Sequence, residues 1–451
     1  MTVTTSRVIL HIGAMKTGTS YLQRALMSNR EQLAEAGYAF PGAAWGDQVR
    51  AVEDVLRQTG RDAAAKLRAK GAWEHLTQEI AAADAATSIV SMEGFGFASR
   101  HQAARVLRGL DAAEVHIVLG VRDATATIPA LWQTNISTGA TQSWPDFMVA
   151  VRKALALTSW RSRHSFDAAL RSFARAQDID HMLHVWRGFL PPEQLHVFTV
   201  PPSGAEPSLL WERFCRSIGL DGSAFSRLPE PANESLGLAS TELLRRVNVA
   251  LGSVPRLDYD TTVKRPLALR IMARRRESET RARLNRATCE FALWWNKRSR
   301  IAVEASGAAV EGDLDDLPVS VSERLAPLLD EQQVGPTAEE LLAAASDAVA
   351  GLDTVVTQRV RRLRRRGLDI PSEAVRKPRA SATTSHPADA PVEEGVEAAV
   401  ADIVKSVLLA IELERRLRGV SAKQRALSGG KDSGLAATAM VRATPRRARP
   451  T

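Results

Sequence analysis

The segment Val8-Ile-Leu-His-Ile-Gly-Ala-Met-Lys16-Thr-Gly-Thr-Ser20 decides the fold of this chain. A short apolar run, long enough for one buried strand, stops at a loop of small and polar residues, and a helical pattern follows at once. Gly13 and Gly18 allow the loop to turn tightly, because glycine adopts positive φ angles without steric cost. A strand that leads through such a loop into a helix is typical of phosphate-binding α/β proteins.

The residues of this loop are suited to an anion. Amides at the start of the following helix point outward as donors, and the helix dipole favours negative charge there. Lys16 adds a cation, and Thr17, Thr19 and Ser20 add hydroxyl groups. A Walker-type nucleotide loop has its lysine after the last glycine, whereas Lys16 precedes Gly18. The order of residues therefore indicates a phosphate loop of another kind.

The sequence Lys16-Thr-Gly-Thr-Ser20 resembles the 5′-phosphosulfate loop of the sulfotransferases that use 3′-phosphoadenosine 5′-phosphosulfate (PAPS). The longer phrase, from His11-Ile-Gly to Tyr21-Leu-Gln23, resembles the start of bacterial sulfotransferase-like proteins. The resemblance covers about residues 7–330. It implies that Lys16, Thr17, Gly18, Thr19 and Ser20 bind the donor, and that Lys16 also acts on the departing phosphate oxygen.

A second region of resemblance follows the third apolar run. In sulfotransferases an arginine at the end of this strand and a serine eight residues later hold the 3′-phosphate of PAPS. Arg122 matches the arginine, and a planar guanidinium can bind two phosphate oxygens at once. The serine position is Ala130, but Thr127 and Thr134 lie one helical turn away on the same face, and Thr127 is assigned to the donor site with Arg122. Without the resemblance, Arg122 could equally pair with Asp123 or a helix end.

Glu93 is the candidate general base. It follows the second apolar run and is therefore expected at the same edge of the sheet as Lys16 and Arg122. In related sequences this position commonly reads His-Glu, and here Met92 replaces the histidine. Burial can raise the pKa of a carboxyl group towards neutrality, which suits proton abstraction. A glutamate that caps the next helix is the alternative, and His101 is a second candidate base.

The rest of the chain alternates short apolar runs, at residues 8–12, 88–92, 115–121 and 195–200, with longer helical patterns. This alternation predicts an α/β fold of the P-loop type: a three-layer αβα arrangement around a central, mostly parallel sheet, with a helical carboxyl-terminal appendage. Ligands bind beyond the carboxyl ends of parallel strands. The loops after the four runs are therefore expected around one site.

Four segments are expected along the chain. Residues 1–330 form the sulfotransferase-like α/β domain, and residues 331–370 form a helical extension with an arginine-rich end. Residues 371–391 are rich in Pro, Ala, Ser and Thr, as flexible linkers are. Residues 392–451 begin as a helix and continue into a basic tail that is expected to be disordered.

Composition limits the classes of partner. The formal net charge of +9 favours anionic partners, and residues 264–300 carry twelve Lys or Arg against three Asp or Glu. No nucleic-acid-binding motif accompanies this segment, so nucleic acid is not expected as a partner. Arginines 359–366 could contact an acidic partner or a membrane surface. No run approaches the ~20 apolar residues of a membrane span and no signal peptide is recognisable, so a cytoplasmic protein is expected.

The leading hypothesis is a sulfotransferase that moves a sulfuryl group from PAPS to a hydroxyl or amine of a carbohydrate, lipid or small molecule. No metal is expected, because the sequence has no cluster of metal-ligand residues and its two cysteines are far apart. Two alternatives stay open: a non-catalytic nucleotide-binding or interaction module on the same fold, and a P-loop kinase or NTPase. The acceptor and the oligomeric state have no recognisable sequence pattern.

Overall fold

A computed structural model of the chain describes residues 6–57, 63–111, 113–230, 235–321, 335–375 and 392–439, together with residues 326, 329 and 333. The chain divides into two compact units. The first unit comprises Met1–Asn135, Gln142–Asn233 and Ala282–Val334. The second unit comprises Ile136–Thr141, Glu234–Arg281 and Gly335–Thr451.

The first unit is built on a six-stranded sheet. Its strands are β1 (Arg7–His11), β2 (Tyr38–Ala39), β3 (Thr87–Ser91), β4 (Glu114–Val121), β5 (Leu195–Thr199) and β6 (Ala309–Glu311). They lie in the order β2-β3-β1-β4-β5-β6, and every neighbouring pair is parallel. The four apolar runs of the sequence form β1, β3, β4 and β5. The edge strands β2 and β6 were not predicted, because two or three residues carry no readable period.

Helices occupy most of the remaining described chain. They are α1 (Thr19–Ser28), α2 (Arg30–Glu35), α3 (Trp45–Leu56), α4 (Ala63–Ala69), α5 (Ala72–Ala82), α6 (Arg100–Arg108), α7 (Ala124–Ser137), α8 (Trp144–Arg152), α9 (Ser159–Arg163), α10 (Ala168–Gln177), α11 (Ile179–Arg187), α12 (Leu209–Ser217), α13 (Leu238–Leu251), α14 (Arg256–Tyr259), α15 (Arg286–Ser306), α16 (Ala338–Arg365), α17 (Ser372–Val375) and α18 (Val392–Ala439).

Shorter 3-10 helices and one π-helix complete the described structure. The 3-10 helices are Glu93–Phe97, Lys153–Leu155, Pro192–Gln194, Gly222–Ala224, Met272–Arg275 and Leu314–Asp316. The π-helix is Asp260–Ile271. The helical residues between 256 and 300 are divided among α14, the π-helix, a 3-10 helix and α15.

Two apolar cores lie on opposite faces of the sheet. Successive side chains of a strand point to opposite faces, and β1 follows this rule: Val8 and Leu10 enter one core, while Ile9 enters the other. The first core is closed by α3, α5, α6, α11 and α15, and the second by α1, α2 and α12. The first unit is thus a three-layer αβα structure around a parallel sheet, which confirms the predicted fold class.

The register of the sheet brings the predicted loops to one edge. His11 at the end of β1 lies opposite Ser91 of β3 and Val118 of β4. Val121 at the end of β4 lies opposite Thr199 of β5. Because all of these strands run in the same direction, the loops that follow them leave the sheet at the same carboxyl edge.

The second unit is helical, and a buried arginine ties three of its segments together. Arg359 on α16 donates to the Ala410 carbonyl on α18 at 2.7 Å and to Thr262 Oγ1 of the π-helix at 3.1 Å. Its Nε lies 3.1 Å from a carboxylate oxygen of Glu414. The helical appendage predicted from the sequence is confirmed, although Arg359 belongs to its interior and not to an exposed basic surface.

The division of the chain differs from the predicted boundary near residue 330. Residues 235–281 belong to the second unit, in which the helices of this segment lie against α16 and α18. Most of the predicted linker, residues 376–391, and the end of the tail, residues 440–451, lie outside the described residues. In the described ranges, no helix combines the length and the apolar character that crossing a membrane requires.

Candidate functional site

The loop between β1 and α1 has the backbone shape that its glycines predict. Gly13 and Gly18 have φ angles of 119° and 82°. Lys16 also lies in the left-handed region, with φ of 69°, which costs a residue with a side chain roughly 1–2 kcal/mol. A Cβ atom on Gly18 would lie 2.4 Å from Leu210 Cδ2, so position 18 is restricted by packing as well as by φ.

Four consecutive carbonyl oxygens of this loop accept hydrogen bonds from the first unit. They are Gly13 O from the Gly120 amide (2.7 Å), Ala14 O from Thr17 Oγ1 (2.7 Å), Met15 O from Gln177 Nε2 (2.7 Å) and Lys16 O from Arg122 Nη1 (2.9 Å). The negative ends of these peptide dipoles are therefore neutralised by protein donors. An anion at this loop would not face four unsatisfied carbonyls.

The first turn of α1 supplies backbone donors at the same place. Among the described residues, the amides of Gly18, Thr19 and Ser20 have no hydrogen-bond acceptor. Such amides are unpaired at the start of any helix, and they carry the positive end of the helix dipole. Combined with inward-bonded carbonyls and the ammonium group of Lys16, they give the loop a positive electrostatic character.

Glu93, Thr19 and Lys16 come together although they are far apart in sequence. Glu93 begins the 3-10 helix that follows β3, and its half-buried carboxylate lies near the Thr19 hydroxyl, which acts on its pKa. Burial raises the pKa of Glu93, while the Thr19 hydrogen bond and the charge of Lys16 act in the opposite direction. The structure therefore brings the predicted base beside two of the predicted donor-binding residues.

The hydroxyl residues of the loop differ in exposure. Thr17 is fully buried, and its hydroxyl donates to Ala14 O, so its side chain stabilises the loop from within. Thr19 is also buried and contacts Glu93, whereas Ser20 is exposed. Of the three predicted hydroxyl donors, Ser20 is therefore the one whose side chain is open to solvent.

Arg122 connects the end of β4 to the loop. It is half-buried, and burial lowers its pKa against the opposing charge of Asp123. The Asp123 carboxylate accepts from the Thr125 amide at 2.8 Å and from Asn296 Nδ2 at 2.7 Å. Because Arg122 donates to the Lys16 carbonyl, its guanidinium lies at the predicted donor site.

The structure does not present Thr127 as a surface donor. Thr127 is fully buried, and its hydroxyl donates to the Asp123 carbonyl at 2.9 Å, four residues back on α7. Thr134 donates in the same way to Ala130 O at 2.9 Å. Threonine in a helix commonly bonds to the carbonyl one turn earlier. The hydroxyl proton of Thr127 is thus used within the helix, and Ala130 offers none.

His11 and His101 of the first unit have different environments. His11 is fully buried against Phe198 and Phe214, and its Nδ1 lies 2.8 Å from Ser91 Oγ. Burial lowers the pKa of His11 to about 3, so its ring is neutral at physiological pH. His101 is exposed near the start of α6. His11 is therefore a core residue and not a candidate base.

Gln177 is a supporting residue that the sequence did not identify. It ends α10 and donates to the Met15 carbonyl, 162 positions earlier in the chain. Its own carbonyl accepts from Trp295 Nε1 at 3.0 Å, and the neighbouring Ala176 carbonyl accepts from the Met15 amide at 3.3 Å. No local pattern marks a glutamine at a helix end as a loop anchor, because its role depends on a distant segment.

Several other sequence features have structural roles. Four arginines of the basic segment 264–300, Arg265, Arg275, Arg298 and Arg300, form ion pairs with aspartate or glutamate side chains. In the described part of the chain, no group of three or more His, Cys, Asp and Glu side chains is placed to hold a metal ion.

The comparisons with known proteins give one structural match. No family model matches the sequence, and no curated protein matches it. A crystal structure of a sulfotransferase from Alicyclobacillus acidocaldarius is similar with a TM-score of 0.34 and 15% sequence identity, over 56% of this chain and 89% of that chain.

Proposed function

We propose that the chain is a PAPS-dependent sulfotransferase whose donor site is the loop from Gly13 to Ser20. The observation that carries this proposal is that Glu93 lies against Gly13 at the carboxyl end of β1, near enough to Thr19 and Lys16 for both to act on its pKa. A cation, a helix start and a carboxylate with a raised pKa are the groups that transfer of a sulfuryl group to a hydroxyl requires.

The loop fits the doubly charged phosphosulfate end of the donor. Its carbonyl groups bond to the protein, so the groups left for a ligand are the amides of Gly18, Thr19 and Ser20 and the Ser20 hydroxyl, and Lys16 adds its positive charge to the loop. Arg122 would hold the 3′-phosphate, because its Nη1 contacts the loop and its guanidinium has further N–H groups to donate.

The proposed reaction is a direct displacement at sulfur. An acceptor oxygen attacks the sulfur, and the bond from sulfur to the bridging phosphate oxygen breaks. Adenosine 3′,5′-bisphosphate leaves with the electron pair, and Lys16 stabilises the charge on the departing oxygen. The acceptor proton passes to the carboxylate of Glu93. The nearby Thr19 hydroxyl stabilises the charged form of that carboxylate.

Donor binding strengthens the basicity of Glu93. Burial already raises the pKa of this carboxyl group, and a polyanion bound beside it disfavours the negative carboxylate further. A carboxylate that gains affinity for a proton when the donor arrives is suited to remove one from the acceptor. We propose a hydroxyl or amine of a carbohydrate, lipid or small molecule as that acceptor.

A second candidate function is nucleotide binding without turnover. It is favoured by Ala130, which lacks a hydroxyl, and by the burial of Thr127, because both weaken the proposed 3′-phosphate contacts. Binding and turnover experiments separate the two candidates. A kinase or NTPase is a third class, and its dependence on magnesium distinguishes it from both.

Calorimetry with purified protein is the first test. Adenosine 3′,5′-bisphosphate is expected to bind without magnesium, and ATP is expected to bind no better when magnesium is added. Radiolabelled PAPS should then lose its sulfuryl group to water or to an acceptor from a broad panel. Magnesium-dependent ATP binding would contradict the proposal. Tight bisphosphate binding without any turnover, in the wild type and in Glu93→Gln alike, would establish the non-catalytic candidate instead.

A further inference from the structure

The first unit contains a second polar cavity, which the proposed donor site does not use. We call it the Trp294 pocket; its volume is about 260 Å³. Its lining includes polar, charged and aromatic side chains: Thr158, Ser159, Ser162, Asp178, Trp294 and Arg298. This volume lies just below the ~300 Å³ at which ligand pockets usually begin, so a small ligand fits and a nucleotide does not.

Ser162 indicates that the pocket is made for a hydrogen-bonding ligand. The residue is 2% exposed, and its Oγ has no hydrogen-bond partner among the described residues. A buried hydroxyl without a partner costs stability, so proteins rarely retain one. The other polar side chains at the pocket are already hydrogen-bonded: Ser159 Oγ donates to the Asp178 carboxylate, and Thr158 Oγ1 accepts from the Arg161 amide.

The charges around the pocket cancel. Arg298 Nη2 lies 2.8 Å from an Asp178 oxygen and 3.2 Å from an Asp180 oxygen. The charge of Arg163 also interacts with that of Asp178. The two carboxylates, Asp178 and Asp180, are therefore matched by two guanidinium groups, those of Arg298 and Arg163. His181 is neutral near pH 7, because burial and the charge of Arg163 lower its pKa to about 4. A balanced set of charges favours a neutral polar ligand over an anion or a cation.

The aromatic residues give the pocket one apolar wall. Trp294 is 39% exposed and lines the cavity, whereas Trp295 is buried and its ring is covered by the Arg298 guanidinium at 4.8 Å. Trp294 thus keeps accessible ring surface. A flat apolar ring surrounded by hydroxyl, carboxylate and guanidinium groups matches a molecule with one apolar face and a rim of hydroxyl groups.

The pocket is joined covalently to the anchor of the donor loop. Asp178 in its wall follows Gln177, which donates to the Met15 carbonyl, and Ala176, whose carbonyl accepts from the Met15 amide. The Cα atoms of Ala176 and Asp178 are at most about 7.6 Å apart, since consecutive Cα atoms are about 3.8 Å apart. A ligand in the pocket is therefore held close to the loop that carries Lys16.

We propose that the Trp294 pocket binds a neutral, polyhydroxylated molecule the size of one sugar ring. The ring would stack on Trp294, and its hydroxyl groups would bond to Ser162 and Arg298. Its identification as the sulfuryl acceptor, or as one unit of a longer acceptor, rests on the proposed function. Binding itself does not depend on that function, so the two claims can fail separately.

Titrations with methyl glycosides test the binding claim. The probes are the methyl glycosides of glucose, galactose, mannose and N-acetylglucosamine, followed by calorimetry and by tryptophan fluorescence of the full chain. At least one should bind saturably, and Trp294→Ala should weaken it about three- to tenfold, as the loss of an aromatic contact does. Absence of saturable binding by all four would overturn the proposal.

Ser162→Ala provides a test in which affinity and stability change in opposite directions. It should weaken glycoside binding about two- to tenfold, the usual effect of one neutral hydrogen bond. It should also raise the melting temperature, because the hydroxyl has no partner in the described part of the chain. Ser217→Ala is the matched control: Ser217 is similarly buried, but its Oγ donates to Phe214 O at 2.6 Å. That variant should lower the melting temperature and leave glycoside binding unchanged.

Two outcomes separate the pocket from the donor site. Glycoside binding by the wild type and by Lys16→Ala, together with failure of adenosine 3′,5′-bisphosphate to bind to the wild type, would retain the pocket and reject the proposed function. Adenosine binding that depends on Trp294 but not on Ser162 would mean that the aromatic wall holds a base instead of a sugar, and would overturn the inference made here.

Discussion

Replacing Lys16 with glycine should stabilise the fold while it weakens the donor site. Lys16 has φ of 69°, which costs a non-glycine residue about 1–2 kcal/mol. Glycine adopts this conformation freely but loses about 0.5–1 kcal/mol more chain entropy on folding. The difference predicts that Lys16→Gly raises the free energy of unfolding by about 0.5–1 kcal/mol.

The same substitution removes the charge proposed to bind the donor. A hydrogen bond to a charged group contributes about 1.5–3 kcal/mol, which corresponds to roughly a ten- to 150-fold change in Kd. We therefore expect Lys16→Gly to weaken adenosine 3′,5′-bisphosphate by about this factor. Lys16→Met keeps the strained φ angle and removes the charge, so it should weaken binding similarly without the gain in stability.

Urea denaturation and calorimetric titration measure the two effects on the same protein. Arg57→Gly is a matched control, because Arg57 has φ of 52° at the end of α3, away from the loop. It should gain comparable stability and bind the bisphosphate normally. Lys70→Ala removes one exposed positive charge from the first unit and controls for the change in net charge.

Three results would refute this reasoning in different places. Normal bisphosphate binding by Lys16→Gly and Lys16→Met would reject the donor loop. If Arg57→Gly or Lys70→Ala weakened bisphosphate binding by the same factor, the effect of Lys16 would be explained by the net charge of the protein and not by a contact with the donor. An unchanged or lower stability of Lys16→Gly, with Arg57→Gly stabilised, would show that the loop at Lys16 is not strained.

Three further predictions concern a base, a turn and the second unit. The rate of sulfuryl transfer by the wild type should fall at low pH with a midpoint above pH 4.5, because burial raises the pKa of Glu93, and Glu93→Gln should abolish this pH dependence. Gly18→Ala should cost about 1–3 kcal/mol in urea denaturation and weaken the bisphosphate, because position 18 has positive φ and meets Leu210; an unchanged stability would contradict the crowding. Burial raises the pKa of Asp258, but Arg415 and Arg418 hold it below its usual range. The charged Asp258 therefore contributes its full stability above the unfolded-state pKa of about 3.9, and this contribution is lost as the pH falls through the lower folded-state pKa. Asp258→Asn should lower the melting temperature at pH 7 and should have no such effect in strong acid.

The sequence predicted the four strands that have a hydrogen-bonded strand on each side. The runs that became β1, β3, β4 and β5 are continuous and apolar, because strands inside a parallel sheet are covered on both faces. The edge strand Tyr38–Ala39 pairs with β3 alone, and Ala309–Glu311 pairs with β5 alone. Short edge strands acquire their conformation from the neighbouring strand, so their own residues carry little signal.

In the candidate site, too, the sequence predicted local backbone features better than the hydrogen bonds of single side chains. The phosphate-loop pattern is local, and Lys16, Thr19 and Gly18 lie where it predicts. Thr127 was expected to replace the missing serine, because helical spacing places it on the same face of α7 as Ala130. Its hydroxyl instead bonds to a carbonyl within α7. A sequence pattern gives the direction of a side chain along a helix, and not whether the surface above it is open.

The sequence by itself determined the central strands, the glycine loop that leads into α1, and the convergence of the strand ends at one edge, because each follows from short-range periodicity and backbone sterics. Tertiary structure alone decided that Gln177 anchors Met15, that Arg122 bonds to the Lys16 carbonyl and that Ser162, beside Trp294, has no partner among the residues the structure describes. These contacts join segments more than 100 residues apart, and such distant pairings depend on packing geometry that no local stretch of sequence encodes.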